Sequence, residues 1–538
     1  MKIVLMDSKS ALLRTITLAV LAALIPLPVY AQPNIDSVTR EVDHSAREKV
    51  EKEIVTPPKK ADVEEKEEEK AKRPEGPKFF VKTIQLTGTV SFPPEAFSSI
   101  IKKYENKEIN LNDLDELATE IEKEYLKKGI IAACFVPPQG VKKDTVTLEV
   151  VEPRMGRLEI RDIEKSWFFD NGNLDLYWDI KPGEVLRYDK MSRSLQLMNK
   201  NPDRKVNANL RAGKEHGTTD VLLESKTRLP IHPFVSFDTE GVRSTGLDRT
   251  GLGIRHNNFL FVDDTLLAGS MFGKDFTGFY AYHSVPITNF GTTVMYGYSD
   301  SKARPKKEYT RFGIDSRVQS GSVFIYQDLY DKASYIGVFS VGLDMKDKVT
   351  TTTADGTLNR DRLRILRLQC TFVNRDFGGV TSIAPQFSQG LNILGARRKN
   401  PLSSRDAENT LTKFNLSIRH RRPLPFGLGA DLRFKTQLAG DKLPPLEQYF
   451  LGGIDSVRGY PSGDFLADNA VQVNAEILIP AFFIPDTVNI PFNKKPLKDS
   501  IKGVLFFDYG YGRLLGASST EKSQVNYIGI GPGLRIKL

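Results

Sequence analysis

Residues 412–421 read "TKFNLSIRHR", in which Phe414, Leu416 and Ile418 share one face and Lys413, Asn415, Ser417, Arg419 and Arg421 share the other. A period of two is the signature of a strand, because successive side chains point to opposite sides of a sheet. The stretch 428–438, "LGADLRFKTQL", repeats the pattern: Leu428, Ala430, Leu432, Phe434 and Leu438 stand against Asp431, Arg433, Lys435 and Gln437. In 470–480, "AVQVNAEILIP", Val471, Val473, Ala475, Ile477 and Ile479 oppose Gln472, Asn474 and Glu476. Outward from these segments, alternating runs of about ten residues separated by polar or glycine-rich turns continue from Pro230 to the end, about fourteen strands in all. A secreted sandwich with one solvated face also alternates. The length of the unbroken array, and polar faces bearing charges of both signs, favour a sheet whose apolar side meets lipid. Lipid cannot satisfy open strand edges, so such a sheet must close around a polar lumen. The expected fold over 229–538 is a transmembrane antiparallel β-barrel of about 14–16 strands.

The chain before the barrel divides by composition. Lys2, Lys9 and Arg14 precede an apolar run from Ile16 to Val29 that ends in Val29-Tyr30-Ala31, which makes 1–31 an expected signal peptide and the protein an exported one. Residues 32–77 are dominated by charge, as in "ADVEEKEEEKAKRPEGPK", with too few apolar side chains to offset the entropy of ordering, and are expected to be a solvated linker. Its first part, 34–55, either forms a helix before Pro57-Pro58 or stays disordered. From Phe79 the patterning changes to β-α-α-β-β, with Asn110 or Asn112 as the cap of a helix in "NLNDLDELATEIEKEYLKKG". A weaker copy follows in "MGRLEIRD", "RYDKMSRSLQLMNKN" and the hairpin "KVNANLRAG"/"TTDVLLESKT". Two small α+β modules, 78–153 and 154–228, are therefore expected.

Several function classes are disfavoured. Every later apolar run breaks on charge or glycine before the roughly 18 residues a helical span requires. Two cysteines, Cys134 and Cys370, cannot make a disulfide scaffold in a chain of 538 residues, and both are expected to be buried, inert thiols. The net charge of +9 is spread through alternating strands without a dense patch, so nucleic acid is not an expected partner. The six histidines, His44, His216, His232, His256, His283 and His420, have no metal-ligand spacing, and no metal site is expected. There is no nucleophile elbow and no phosphate loop, and "GIGPGLR" lies in a strand context without a following helix. Neither an enzyme nor a cofactor is expected.

The stretches "LPPLEQYFLGGIDSVRGY", "NAEILIP", "VLFFDYGYG" and "YIGIGPGLRIKL" resemble, in order and spacing, the C-terminal barrel of two-partner secretion transporters, the outer-membrane pores that export filamentous haemagglutinins and haemolysins. The modules before them resemble that family's polypeptide-transport-associated (POTRA) domains. The similarity covers about 78–538 and is strongest from Leu443. It implies a cell outer-membrane location in a Gram-negative envelope with periplasmic POTRA modules, insertion by the barrel assembly machinery, contact with outer-membrane lipid, and export of an unfolded, secreted partner polypeptide. It also implies that Val457, Arg458, Gly459 and Tyr460 form a loop folded into the barrel whose arginine pairs with Asp508 on the inner wall. Gly452, Gly453, Glu476 and Gly510 are the supporting motif.

Local physics agrees with that assignment. Leu505, Phe507, Tyr509 and Tyr511 lie on one face, ending in tyrosines suited to a membrane interface, while Asp508 shares the other with Val504, Phe506 and Gly510. A carboxylate in a confined lumen is costly to desolvate unless paired, and a guanidinium offers a planar, bidentate partner. A gate and a pair that only steadies the barrel both remain open. The resemblance suggests further that 34–55 is a plug helix, matched by position alone. It also shows a departure: the family's barrel of about sixteen strands has another hairpin after the strand resembling "GIGPGLR", so a smaller barrel or a truncated sequence is expected. The alternatives are an outer-membrane assembly and insertion factor of the same superfamily, a diffusion porin, and an exported surface-binding β-protein.

Overall fold

The computed structural model describes residues 35–55, 63–64 and 76–538, apart from 140–143, 165, 216, 333–334, 355, 376–377, 486, 491–495, 520 and 538. The expected signal peptide and most of the charged linker lie outside the described residues. A 21-residue helix, α1 (Ile35–Val55), is followed by two α+β modules and a large sheet.

In the first module, α2 (Leu111–Lys127) begins at Asn110, the first of the two asparagines considered. Asn110 Oδ1 accepts from Asp113 N–H at 3.0 Å and Asp113 Oδ2 accepts from Asn110 N–H at 2.8 Å, a reciprocal cap of the kind that contributes about 1 kcal/mol. Leu114, Leu117, Ala118, Ile121 and Tyr125 recur at helical spacing and bury one face of α2 against Leu86, Val146 and Leu148 of the sheet. Strands Thr83–Thr87 and Thr145–Val151 pair in parallel, and Ala133–Phe135 joins the latter antiparallel. The second module packs α3 (Tyr188–Met198), through Met191, Leu195 and Met198, onto the hairpin Arg204–Ala212/Thr218–Thr227 and the strand Arg154–Asp162. Val63–Glu64, from the linker, adds in parallel to the free edge of this sheet at Ala208 and Asn209.

Fourteen antiparallel strands follow, each hydrogen-bonded to its sequence neighbour. They are β1 (Ile231–Asp238), β2 (Arg249–His256), β3 (Thr265–Gly273), β4 (Phe276–Pro286), β5 (Thr292–Ala303), β6 (Asp315–Lys332), β7 (Tyr335–Thr352), β8 (Gly356–Asn374), β9 (Val380–Gly390), β10 (Thr412–Pro423), β11 (Gly429–Ala439), β12 (Asn469–Pro480), β13 (Ile501–Arg513) and β14 (Gln524–Ile536). The count equals that read from the periodicity. Strands β6 to β8, of 18, 18 and 19 residues, exceed the roughly 9–11 that a tilted strand needs to cross a bilayer, and so project past it. Among the described residues no ladder joins β1 to β14, which are the two edges of the sheet.

The alternation has the expected polarity in the later strands. Phe414, Leu432, Leu438, Leu505 and Phe507 are exposed on the outer, lipid-facing side, while Lys413, Asp431, Gln437, Gln472, Asn474 and Asp508 are buried on the inner side. The expectation of a polar lumen is corrected over β3–β6. There Leu267, Phe276, Tyr280, Tyr282, Met295, Phe324 and Tyr326 face inward and are buried, because Val42, Ala46 and Val50, four residues apart on α1, cover them. The cysteine expectation is corrected in part: Cys134 is buried in the first module, but Cys370 is only half-buried, sharing the outward face of β8 with the exposed Leu368.

Candidate functional site

The 29 residues between β11 and β12, 440–468, turn into the lumen. They form a short hairpin of their own, Tyr449–Leu451 with Phe465–Ala467, laid against β13. Between its strands the chain reverses through Gly452 and Gly453, with φ of 98° and 96°, in the left-handed region that disfavours other residues. A Cβ on Gly452 would also stand 2.1 Å from the Pro461 carbonyl oxygen. This turn carries Val457 to the wall, where it is fully buried over Gly510; a Cβ on Gly510 would lie 2.7 Å from Val457 Cγ2. Gly459, at φ 94°, then turns the backbone so that Tyr460 stacks on Tyr527 of β14, with centroids 4.0 Å apart.

Arg458 reaches Asp508 through three donors. Its Nε meets Oδ2 at 2.7 Å, Nη2 meets Oδ1 at 2.7 Å, and its backbone N–H meets Oδ2 at 3.0 Å. The remaining nitrogen, Nη1, donates to Glu476 Oε1 at 2.7 Å, and the guanidinium carbon lies 3.8 Å from the centre of the Phe506 ring. Asp508 accepts a further bond from Asn474 Nδ2 at 2.7 Å, and Glu476 also takes Arg433 at 2.7 Å and Arg535 at 3.1 Å. The anticipated two-residue pair is thus one corner of a cluster of two carboxylates and three guanidinium groups. Adjacent strands place Asn474 directly opposite Asp508 and Glu476 directly opposite Phe506, so the register of β12 on β13 builds the socket.

A second ionic group was not visible in the sequence. Glu447, fully buried at the start of the inward loop, accepts from Lys346 at 3.0 Å, Lys413 at 2.8 Å and Arg367 at 2.9 Å. Arg367 also donates to Asp344 at 2.5 Å, and Asp344 takes Arg47 of α1. The helix spans the lumen from one end to the other: Glu41 holds Arg249 at the start of β2 with bonds of 2.6 and 3.0 Å, and Glu53 holds Arg255 near its end at 2.6 Å. Helix and loop touch each other as well, since Arg40 donates to the Gln448 carbonyl and lies 4.6 Å over the Phe450 ring. Glutamates and arginines of this kind are indistinguishable in the sequence from solvated ones. The inward parity of Lys346, Arg367 and Lys413 on their strands was the available signal. Among the described residues no cluster of three or more His, Cys, Asp or Glu side chains is placed to hold a metal ion.

A transmembrane β-barrel preceded by two α+β modules, with a helix and an arginine-bearing loop inside its lumen, defines an outer-membrane protein of the POTRA-plus-barrel class. Residues 217–536 match the family model described as "Haemolysin secretion/activation protein ShlB/FhaC/HecB", and 79–153 match that of the "POTRA domain, ShlB-type". The chain belongs to this family of two-partner secretion transporters; it is an outer-membrane protein with its POTRA modules in the periplasm. Curated relatives include the heme/hemopexin transporter protein HuxB of Haemophilus influenzae (strain 86-028NP), 22% identical over 82% of this chain and 77% of the relative. The outer membrane transporter CdiB of Dickeya dadantii (strain 3937) is 22% identical over 78% of this chain and 75% of the relative. Among solved structures, CdiB from Escherichia coli superposes with a TM-score of 0.69 at 19% identity, covering 93% of this chain and 91% of that one, which shows a shared fold.

Proposed function

We propose that this barrel is the export pore for an unfolded, secreted partner polypeptide, that the periplasmic modules capture that chain by strand addition, and that α1 and the inward loop together close the lumen at rest. The observation that carries the reading is the direct contact between helix and loop through Arg40, combined with their joint attachment to the wall through Asp344, Arg367 and Glu447. Two obstructions sharing one ionic chain move as a unit, so release of one weakens the other. The Arg458 cluster acts as the latch, because a bidentate guanidinium held by two carboxylates has a defined docked position. The addition of Val63–Glu64 to the edge of the second module supports capture, since it demonstrates that this edge accepts an extended segment in parallel. Within this reading α1 is the plug, the barrel assembly machinery inserts the chain, and folding of the partner outside biases its direction without chemistry.

The test is secretion of a candidate partner polypeptide co-expressed with this transporter. Arg458→Ala leaves Asp508 and Glu476 short of their shared cation and should abolish export while the barrel remains inserted and heat-resistant. Arg458→Lys keeps the charge without the fork and should restore export only in part. Normal secretion by both variants would refute the latch.

A further inference from the structure

The periplasmic turn between β2 and β3 is unusually apolar. Phe259, Leu260, Phe261 and Val262 follow one another and are 48%, 52%, 48% and 46% exposed, as exposed as the lipid-facing Leu252 and Ile254 of β2. The turn lies on the outside of the barrel. His256 continues the outward face of Leu252 and Ile254, and the register runs from it straight across the wall through Leu266 and His283 to Tyr296. Phe259 packs edge-on against both imidazoles of that row, 5.7 Å from His256 and 6.2 Å from His283. Beneath it His283 is bonded to Asp264 at 2.6 Å and to Tyr296 at 2.8 Å, and Asp264 accepts from Leu260 N–H at 2.8 Å, so polar groups hold the turn down and its apolar side chains point away.

The second periplasmic module reaches the same place. Trp167, 79% exposed, stacks on Phe168 at 3.6 Å; Phe168 in turn lies edge-on to His256 at 6.4 Å, and its carbonyl accepts from Asn258 Nδ2 at 2.7 Å. A tryptophan from a periplasmic module thus extends the aromatic row that begins on the lipid-facing wall. Phe261 keeps its ring at φ 63°, a conformation bulky residues resist, in a turn where a polar residue or glycine would be less strained in water.

We infer that Trp167 and the turn 259–262 form a membrane anchor that seats the second module in the periplasmic leaflet of the outer membrane. The occupant is lipid because the patch is continuous with the lipid-facing band of β2–β5, whereas the route of an exported chain lies inside the barrel. Amphipathic aromatic rings at the edge of such a band take up the interfacial zone of a bilayer. The anchor acts beside the polar dock at the barrel rim, where buried Asp203 accepts from Asn257 at 2.7 Å and pairs with His232 at 2.7 Å. Together they hold the module to one side of the periplasmic mouth.

The chain has two tryptophans, Trp167 and Trp178. The latter is buried in the module core with its Nε1 donating to Met155 Sδ. The full-length protein would be reconstituted in phosphatidylcholine vesicles with and without brominated acyl chains. The emission of Trp167 is read as the difference between wild type and Trp167→Phe, with Trp178→Phe as a second route to it. Brominated lipid should remove the larger part of the Trp167 emission and leave Trp167→Phe nearly unchanged. Emission that survives brominated lipid and is quenched instead by aqueous iodide would overturn the inference. Shielding that appears only on adding the secreted partner would also overturn it, assigning the patch to a protein.

Discussion

A single guanidinium nitrogen of Arg47 donates to both carboxylate oxygens of Asp344 at 2.9 Å, tying the lumenal helix to the barrel wall across 297 residues of sequence. Asp344 also binds Arg367, and Arg367 binds Glu447, so the lumenal helix, the wall and the inward loop are linked by one continuous run of opposite charges. Displacing the helix therefore changes the electrostatic environment of the loop.

Arg47→Ala should loosen the helix. Hydrogen bonds to charged groups contribute about 1.5–3 kcal/mol each, and Asp344 keeps Arg367, so the helix should spend roughly ten- to a hundred-fold more time displaced. Planar-bilayer recordings should show more frequent open events than the parent. Unchanged recordings would mean that the apolar stripe of Val42, Ala46 and Val50 is sufficient to hold the helix.

Gly529→Ala should dislodge the inward loop without unfolding the barrel. The added Cβ would stand 2.3 Å from the Arg458 carbonyl oxygen, closer than any real contact, and overpacking of this kind costs about 1–3 kcal/mol. Tryptic cleavage after Arg458, blocked in the parent, should appear in the variant. The matched control is Gly533→Ala on the same strand, whose Cβ would meet Val504 at an ordinary 3.5 Å and should change nothing.

The first module should weaken in acid. Burial opposes ionisation of Glu152, but the hydroxyl and N–H of Ser91, the N–H of Val90 and the Tyr125 hydroxyl all donate to it and together hold its carboxyl below the ordinary 4.5. A depressed folded-state value contributes stability that is fully present above 4.5 and is lost as pH falls through the folded value. Urea denaturation of the periplasmic segment 76–228 should therefore show a lower midpoint in acid than at neutral pH. Glu152→Gln should lower the neutral midpoint, at a cost of about 1–3 kcal/mol for donors left unsatisfied, and flatten the pH dependence.

Much of the fold was legible because its periods are local. The two-residue alternation of 412–421 and 470–480 separates lipid from lumen residue by residue, and a capping asparagine, 110 or 112, marks the start of α2, which the structure places at Asn110. The placement of Asp508 in the lumen followed from the parity of its strand, and its partner from the resemblance of Val457–Tyr460 to a known loop. What escaped was every feature that depends on which strands lie across the lumen from each other. Tyr280, Tyr282 and Tyr326 read as ordinary strand aromatics, yet they face inward to receive α1. Gly529, in the strand-context "GIGPGLR", carries no local sign of its role, which is the 2.3 Å that separates a Cβ there from the Arg458 carbonyl oxygen.

The sequence by itself determined a periodic sheet with one apolar and one polar face, two α+β modules ahead of it, and a glycine-flanked arginine with a lumenal carboxylate to meet. The sheet, the modules and the lumenal side of Asp508 follow from the spacing of side chains along a single strand or helix, which is set by backbone geometry alone; that the arginine meets Asp508 is what the resemblance implies. Only the tertiary structure decided that Arg458 is shared between Asp508 and Glu476, that Glu447 and Asp344 tie loop to helix, and that Trp167 lies beside the lipid-facing wall. Each of those contacts joins segments far apart in the chain, and it is the curvature of the wall and the register of its strands that bring them within bonding distance.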